Sequence, residues 1–431
     1  VERATDGASA ALPGAPLGPP SEPSAAPATG PPATPSPGPP AAEPVGLRRF
    51  YAYQVVAEFY FTGGIWILYL QSRGFSLAEI GLAESVFHLA PVTLELPSGS
   101  IADVLGRKWS LVAGCLLGAL SAALMLQADS LLWLLPAMFL GGASYAFRSG
   151  ATQAFLYDNL AAGDGAGRYA GLWGRLLSVS YVVIAATTWL GAFLADRSFV
   201  LPYALTITSG LAAAGLAAGL REPPRERSAH RSLTRTVAEA LRIVRGHPGL
   251  AAMLAFGAGL ATLLTLIGLY AQAVFAEYGL PPSQIGFIIG STLLFTALGS
   301  WFSGRIGVRV GFVRATVATT IATVGAGLGL GSGVLALAVG LYLLAELITG
   351  VFEPLLSDRI NRGLPAAQRA TILSVEGFLF SVTMIWAFPL FGAAAGRVGW
   401  LAAYAGAGLV VLALLAAWVF SDGRDRRRAA V

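Results

Sequence analysis

The sequence predicts an all-α membrane protein with twelve transmembrane helices in two pseudo-symmetric six-helix bundles. Three observations carry that prediction. Of 431 residues, 55% are hydrophobic and only 12% charged, which leaves too little polar surface to cover a soluble fold. The apolar residues fall into segments of about 20, the length at which a helix crosses the hydrocarbon core with its own backbone hydrogen bonds satisfied. The basic residues also alternate between loops: Arg48, Arg49, Arg107, Lys108, Arg168, seven arginines from Arg221 to Arg245, Arg305, Arg309, Arg314, Arg359, Arg362, Arg369 and the tail arginines from Arg424 to Arg428 lie on one side. Only Arg73, Arg197 and Arg397 occupy the other. By the positive-inside rule both termini are expected in the cytoplasm of a plasma-membrane protein, with the basic loops against anionic headgroups. The net charge of +5 is therefore read as membrane topology, and no nucleic-acid partner is expected.

In chain order, residues 1–46 hold thirteen of the twenty-five prolines and cannot pack a core, so a disordered tail is expected. They contain no basic start followed by an apolar run, so no signal peptide is expected there. The predicted spans are 48–70, 77–102, 109–127, 131–160, 169–192 and 199–220 in an N-terminal bundle (47–220), and 250–277, 283–306, 314–331, 334–360, 369–394 and 400–420 in a C-terminal bundle (250–420). Between them, residues 221–249 form a cytoplasmic linker in which Leu233, Val237, Leu241 and Val244 recur at helical spacing, as for an amphipathic helix on the membrane surface. Residues 421–431 are a basic tail. Overlaying 148–158 on 348–358 aligns Ser149 with Thr349, Gly150 with Gly350, Leu156 with Leu356 and Asp158 with Asp358, and Ser303, Gly304 and Gly311 mirror Ser98, Gly99 and Gly106. These matches point to duplication, with a substrate site between the repeats near the bilayer midplane.

Ionisable groups inside spans cost about 2.5–3.5 kcal/mol at the membrane centre, so each needs a partner or a task. Glu58 lies about 16 Å deep in the first predicted span at 1.5 Å per residue, sharing a face with Thr62. Tyr145, Arg148 and Thr152 form a polar stripe on the fourth span; Tyr342, Glu346, Thr349 and Glu353 form one on the tenth. Glu58, Arg148, Glu346 and Glu353 are thus the candidates for substrate binding or proton coupling, the alternative being that Arg148 pairs with Glu353 to hold two helices together. Glu84, His88, Pro91 and Glu95 share a face of the second span. Near the cytoplasmic ends, Asp158, Arg168, Arg175, Asp358, Arg369 and Glu376 are candidate gate salt bridges. Cys115 is the single cysteine, and His88, His230 and His247 are scattered, so neither a disulfide nor a metal site is expected. No nucleotide loop or nucleophile constellation suggests an enzyme, no cofactor is implied, and the outer loops are too short for a receptor.

The segment Gly99-Ser-Ile-Ala-Asp-Val-Leu-Gly-Arg-Lys-Trp-Ser-Leu111 resembles the hairpin between helices 2 and 3 of the major facilitator superfamily (MFS), Gly-x-Leu-Ala-Asp-Arg-x-Gly-Arg-Lys-x-x-Leu, with Ile101 for Leu and Val104 for the first Arg. The resemblance implies the MFS fold, a conformational latch at Gly99, Asp103, Gly106, Arg107 and Lys108, and a cavity lined by helices 1, 4, 7 and 10, which the three stripes would face. It also implies a monomeric secondary transporter that moves a small-molecule substrate by alternating access. Together with the similarity of Leu70–Gly81 and Glu95–Asp103 to a bacterial export-like branch, it suggests proton-coupled efflux. Helix 5, Thr187-Thr-Trp-Leu-Gly191-Ala-Phe-Leu-Ala, lacks the proline of the antiporter pattern in that family.

Overall fold

In lipid, association between helices gains nothing from the hydrophobic effect and rests on close packing and interhelical hydrogen bonds. The computed structural model describes the backbone of residues 47–161, 168–222, 248–363 and 366–429. Within these, the side chains of 95–97, 99–104, 161, 170, 248, 307–308, 357–374, 376 and 422–429 lie outside the description. The predicted linker helix at 233–244 also falls outside the described residues. The elements are α1 (Leu47–Ala57), α2 (Trp66–Ser72), α3 (Leu77–Leu105), α4 (Arg107–Gln127), α5 (Leu131–Ala161), α6 (Tyr169–Ala195), α7 (Val200–Ala218), α8 (Pro248–Glu277), α9 (Pro282–Val310), α10 (Phe312–Gly331), α11 (Leu335–Gly363), α12 (Ala366–Val398) and α13 (Trp400–Ala429). Among the described residues, eleven helices are individually long and apolar enough to cross a membrane, and α1 with α2 together make the twelfth span.

That first span departs from the sequence expectation of one continuous helix over 48–70. It is interrupted between Ala57 and Trp66, where Gly63 and Gly64, each costing about 1 kcal/mol in a helix interior, follow three aromatic residues. An interruption at this depth is tolerated only if the freed backbone groups find partners. They do. Arg148 donates to Ala57 O at 2.8 Å, Tyr60 N–H donates to Thr187 Oγ1 at 3.1 Å, and the Gln272 amide both donates to Gly63 O at 3.0 Å and accepts from Ile67 N–H at 3.1 Å. Gln272 sits on α8 and is 1% exposed, so one buried amide of the C-terminal half closes the gap in a helix of the N-terminal half. The crossing is close: a Cβ on Gly64 would lie 2.9 Å from the Cα of Gly286, and one on Gly191 would overlap Phe61 O.

The two halves repeat each other at their hairpins. Gly106 (φ +121°) precedes α4 and Gly311 (φ +76°) precedes α10, both in the left-handed region that glycine adopts without a Cβ penalty. Among the described residues, hydrogen bonds joining the halves lie toward the face opposite the termini. Besides Gln272 they are Tyr270 Oη to Leu77 O at 3.3 Å, Trp189 Nε1 to Phe287 O at 3.1 Å, and Ser283 N–H to Asp196 Oδ1 at 2.9 Å. The outward surface is apolar, as a lipid-facing surface must be; Trp301 and Leu132 are 79% and 78% exposed.

Gln272→Leu removes both hydrogen bonds and leaves Gly63 O and Ile67 N–H buried without partners, a loss of about 1–3 kcal/mol. The expected outcome is a lower thermal midpoint in detergent and faster amide exchange over residues 60–70 by mass spectrometry. Unchanged exchange there would separate the interrupted span from Gln272.

Candidate functional site

Glu58 follows the last residue of α1 and still donates its N–H to Gln54 O at 3.2 Å, so it keeps its helical position just before the interruption. Gln54, one turn earlier, donates to Glu58 Oε1 at 2.6 Å. Arg148 reaches the same carboxylate oxygen at 3.7 Å, an ion pair without hydrogen-bond geometry, while its 2.8 Å bond goes to Ala57 O, a carbonyl at a helix C-terminus that favours a cation. Gly114 on α4 makes room for the arginine stem, since a Cβ there would lie 2.5 Å from Arg148 Cγ. Arg148 Nε, Tyr53 Oη and Gln54 Oε1 are buried without hydrogen-bond partners among the described residues.

Glu58 and Arg148 line a cavity of about 340 Å³ bounded mainly by the first span, α3, α4, α5 and α7. Its walls combine aromatic faces (Tyr60, Trp66, Phe87) with hydroxyls (Ser144, Thr206, Tyr203), of which Tyr203 Oη and Thr206 Oγ1 are buried without partners. Glu84 also lines it, with His88 Nε2 3.6 Å from Glu84 Oε1 and the imidazole stacked on Phe388 of α12 with centroids 6.2 Å apart. A fixed cation, two carboxylates and two hydroxyls without partners thus share one partly aromatic enclosure.

The tenth-span stripe goes elsewhere. Glu346 accepts from Thr296 Oγ1 of α9 at 2.9 Å. Glu353 lines a second cavity, about 290 Å³, enclosed by α8, α10, α11 and α13. Glu346 and Glu353 are thus not among the residues that line the Glu58–Arg148 cavity. Of the two pairings considered for Arg148, the structure shows the one with Glu58 and not that with Glu353.

At the hairpin, Arg107 pairs with Asp158 of α5 at 2.9 Å, both side chains about one-fifth exposed. Sequence reading had grouped Asp158 with Arg168 and Arg175; both arginines are exposed, and it is Gly106 that aims Arg107 at Asp158. Glu222, which the sequence did not single out, accepts the N–H groups of Arg107 and Lys108 at 2.7 and 3.0 Å, capping α4 and complementing its dipole. Lys108 Nζ lies 4.9 Å over the Trp109 ring. Gly99 lies within α3, and the side chains of Asp103, Asp358, Arg369 and Glu376 lie outside the described residues. Glu222 and Gln272 were legible only as isolated polar residues in otherwise basic or apolar surroundings. Thr187 carried no such signal.

Twelve spans in two related halves enclosing charged, aromatic cavities define a membrane transporter. The chain belongs to the Major Facilitator Superfamily, whose sequence model matches residues 54–277, and its relatives are carriers, not enzymes. It is 21% identical over 345 residues to the uncharacterised MFS-type transporter YxaM of Bacillus subtilis (strain 168), covering 78% of this chain and 85% of that one. Among solved structures, the fold is similar to the nucleoside transporter NupG (TM-score 0.69, 14% identity, 87% of this chain and 97% of that one). It is also similar to a bacterial homologue of the human lysosomal transporter Spinster in an inward-facing, unoccupied conformation (TM-score 0.63, 16% identity, 87% and 94%), and to a D-xylose–proton symporter (TM-score 0.59, 13% identity, 86% and 94%).

If the Arg107–Asp158 pair latches the hairpin, Arg107→Asp and Asp158→Arg should each destabilise the detergent-solubilised protein. The double exchange should recover a coupling of about 1 kcal/mol, read as thermal midpoints. Additive losses would show the two side chains to be independent.

Proposed function

We propose that this protein is a monomeric secondary active transporter that exports a polar small molecule across the plasma membrane by alternating access, with proton movement through its buried carboxylates. The observation that carries this reading is the Glu58–Arg148 pair at the interrupted first span, lining a cavity with unused hydroxyls. The interruption sets a charged pair beside a cavity within the span, and many carriers place their binding sites at such discontinuous helices.

The interhalf bonds on the face opposite the termini support a state closed on that side. With the termini in the cytoplasm, as the arginine distribution favours, this is the state in which an exporter loads. Glu58 and Glu346 are the proposed proton carriers: each has at least one uncharged hydrogen-bond donor, Gln54 and Thr296 respectively, that can remain in place when the carboxylate is neutralised. Arg148 is proposed to orient the substrate. The hairpin pair Arg107–Asp158 and the Glu222 cap are proposed to hold this conformation and to part as the halves rock, together with Asp103 and the gate candidates Arg168, Arg175, Asp358, Arg369 and Glu376.

The test is transport in sealed vesicles of known orientation with an imposed proton gradient, screened over a panel of polar and amphipathic compounds. Glu58→Gln and Glu346→Gln keep size and hydrogen bonding but cannot titrate. Each is expected to leave substrate exchange intact, to abolish gradient-driven accumulation and to flatten the pH profile. A double variant that still concentrates substrate with the original pH profile would remove proton coupling from these residues.

A further inference from the structure

In an unbroken α-helix the N–H of Ile67 would donate to the carbonyl of Gly63, four residues earlier. Here the side chain of Gln272 stands between the two. Its Nε2 donates to Gly63 O at 3.0 Å and its Oε1 accepts from Ile67 N–H at 3.1 Å, so one amide occupies the place of a single helical rung. The amide serves both groups in this orientation alone, because Gly63 O needs a donor and Ile67 N–H an acceptor. On either side the helical pattern holds: Trp66 N–H donates to Thr62 O at 3.1 Å and Tyr69 N–H to Ile65 O at 2.9 Å. Gln272 and Ile67 are each 1% exposed. Gln272 belongs to α8, so a missing rung of the N-terminal half is completed by the C-terminal half.

A buried backbone group left without a partner costs more than the bond it makes, and this decides what must happen if the halves part on the face opposite the termini. Gln272 then leaves with α8. Gly63 O and Ile67 N–H, four residues apart, can pair with each other, while the withdrawn amide is hydrated in the cleft. We propose that Gln272 is an exchangeable rung. It holds the break in the first span and the two halves together in the conformation seen here, and the Ile67 N–H to Gly63 O bond replaces it when that face opens. Two bonds across the halves are traded for one within the span and others to water, so closure is kept in register without a deep trap. The interruption of the first span is thus a property of one conformation, and α2 gains a turn in the other. Gly64 suits that exchange: a Cβ there would lie 2.9 Å from Gly286 Cα, in the path of the rewinding turn. The parting of the halves belongs to the alternating-access reading above, and the proposal rests on it.

The experiment attaches nitroxide labels at Asp129→Cys, in the loop between α4 and α5, and at Val334→Cys, in the loop between α10 and α11; both positions are exposed. The full chain is studied in lipid nanodiscs. The labels sit in different halves on the face opposite the termini, and pulsed electron double resonance reads short, closed and long, open distances as populations. Gln272→Leu is expected to raise the open-to-closed ratio about fivefold or more, since it unpairs two buried groups in the closed form only. A second change replaces the Trp66–Ile67 amide by an ester, through the hydroxy-acid analogue of isoleucine, and so deletes the Ile67 N–H. With Gln272 present the ester removes one bond from each conformation and should leave the ratio within about twofold. In the Gln272→Leu chain it removes a bond from the open form alone and should return the ratio toward the unaltered value. A Gln272 that merely glued the halves together would give the reverse, the ester opening the unaltered chain and changing nothing in the variant. That reverse pattern, or a distance distribution unmoved by Gln272→Leu, would overturn the proposal. Where Gln272→Leu is not monodisperse, Gln272→Met, unbranched and of similar length, takes its place with the same expectations. No substrate or gradient enters the measurement. A chain that shows the expected pattern but transports nothing in vesicles fails as a carrier alone, and one that transports with the reverse pattern fails as this device alone.

Discussion

Every backbone group inside a bilayer must find its partner within the protein, and this constraint shapes the molecule most visibly at the break in its first span. The break frees carbonyls and amides that water cannot reach. Their partners come from three other spans: Arg148 on α5, Thr187 on α6 and Gln272 on α8. Those three side chains fix where the fourth, fifth and seventh spans lie against the first, and so set the volume of the charged cavity and the contact between the halves. Substituting any one of them leaves a buried polar group unpaired, which in hydrocarbon is costlier than the lost bond itself.

The same break explains the division of the polar stripes. Glu58, one helical turn beyond Gln54, keeps the position a continuous helix would give it, whereas the break frees Ala57 O to accept from Arg148, and the positive charge of the N-terminal half is engaged locally. Glu346 and Glu353 then have no arginine across the interface among the described residues, and the C-terminal half keeps acidic groups of its own beside hydroxyls and aromatic rings. Among the described residues, two halves built on one plan thus line cavities of different character, one with a fixed cation and one without.

Much of this was legible in the sequence. The twelve segments follow from apolar length, and the hairpin turns at Gly106 and Gly311 from their matching places in the two halves. Glu58, Arg148, Glu346 and Glu353 stood out because charge in hydrocarbon is rare. The break itself was not legible: a Gly-Gly pair inside an apolar run is compatible with a straight helix, and whether it opens depends on Thr187 and Gln272, which lie 127 and 209 residues away from the groups they satisfy. Asp158 was recognised as a residue that pairs with arginine; that Arg107 is such a partner was not legible, since it depends on the turn at Gly106. Glu222 was masked by the arginines that follow it.

Cys115 is the single cysteine of the chain; it is 4% exposed and lies on the wall of the charged cavity. A thiol so deeply buried is inert toward alkylation. The unaltered chain is thus already a quiet background for cysteines introduced elsewhere and labelled one at a time.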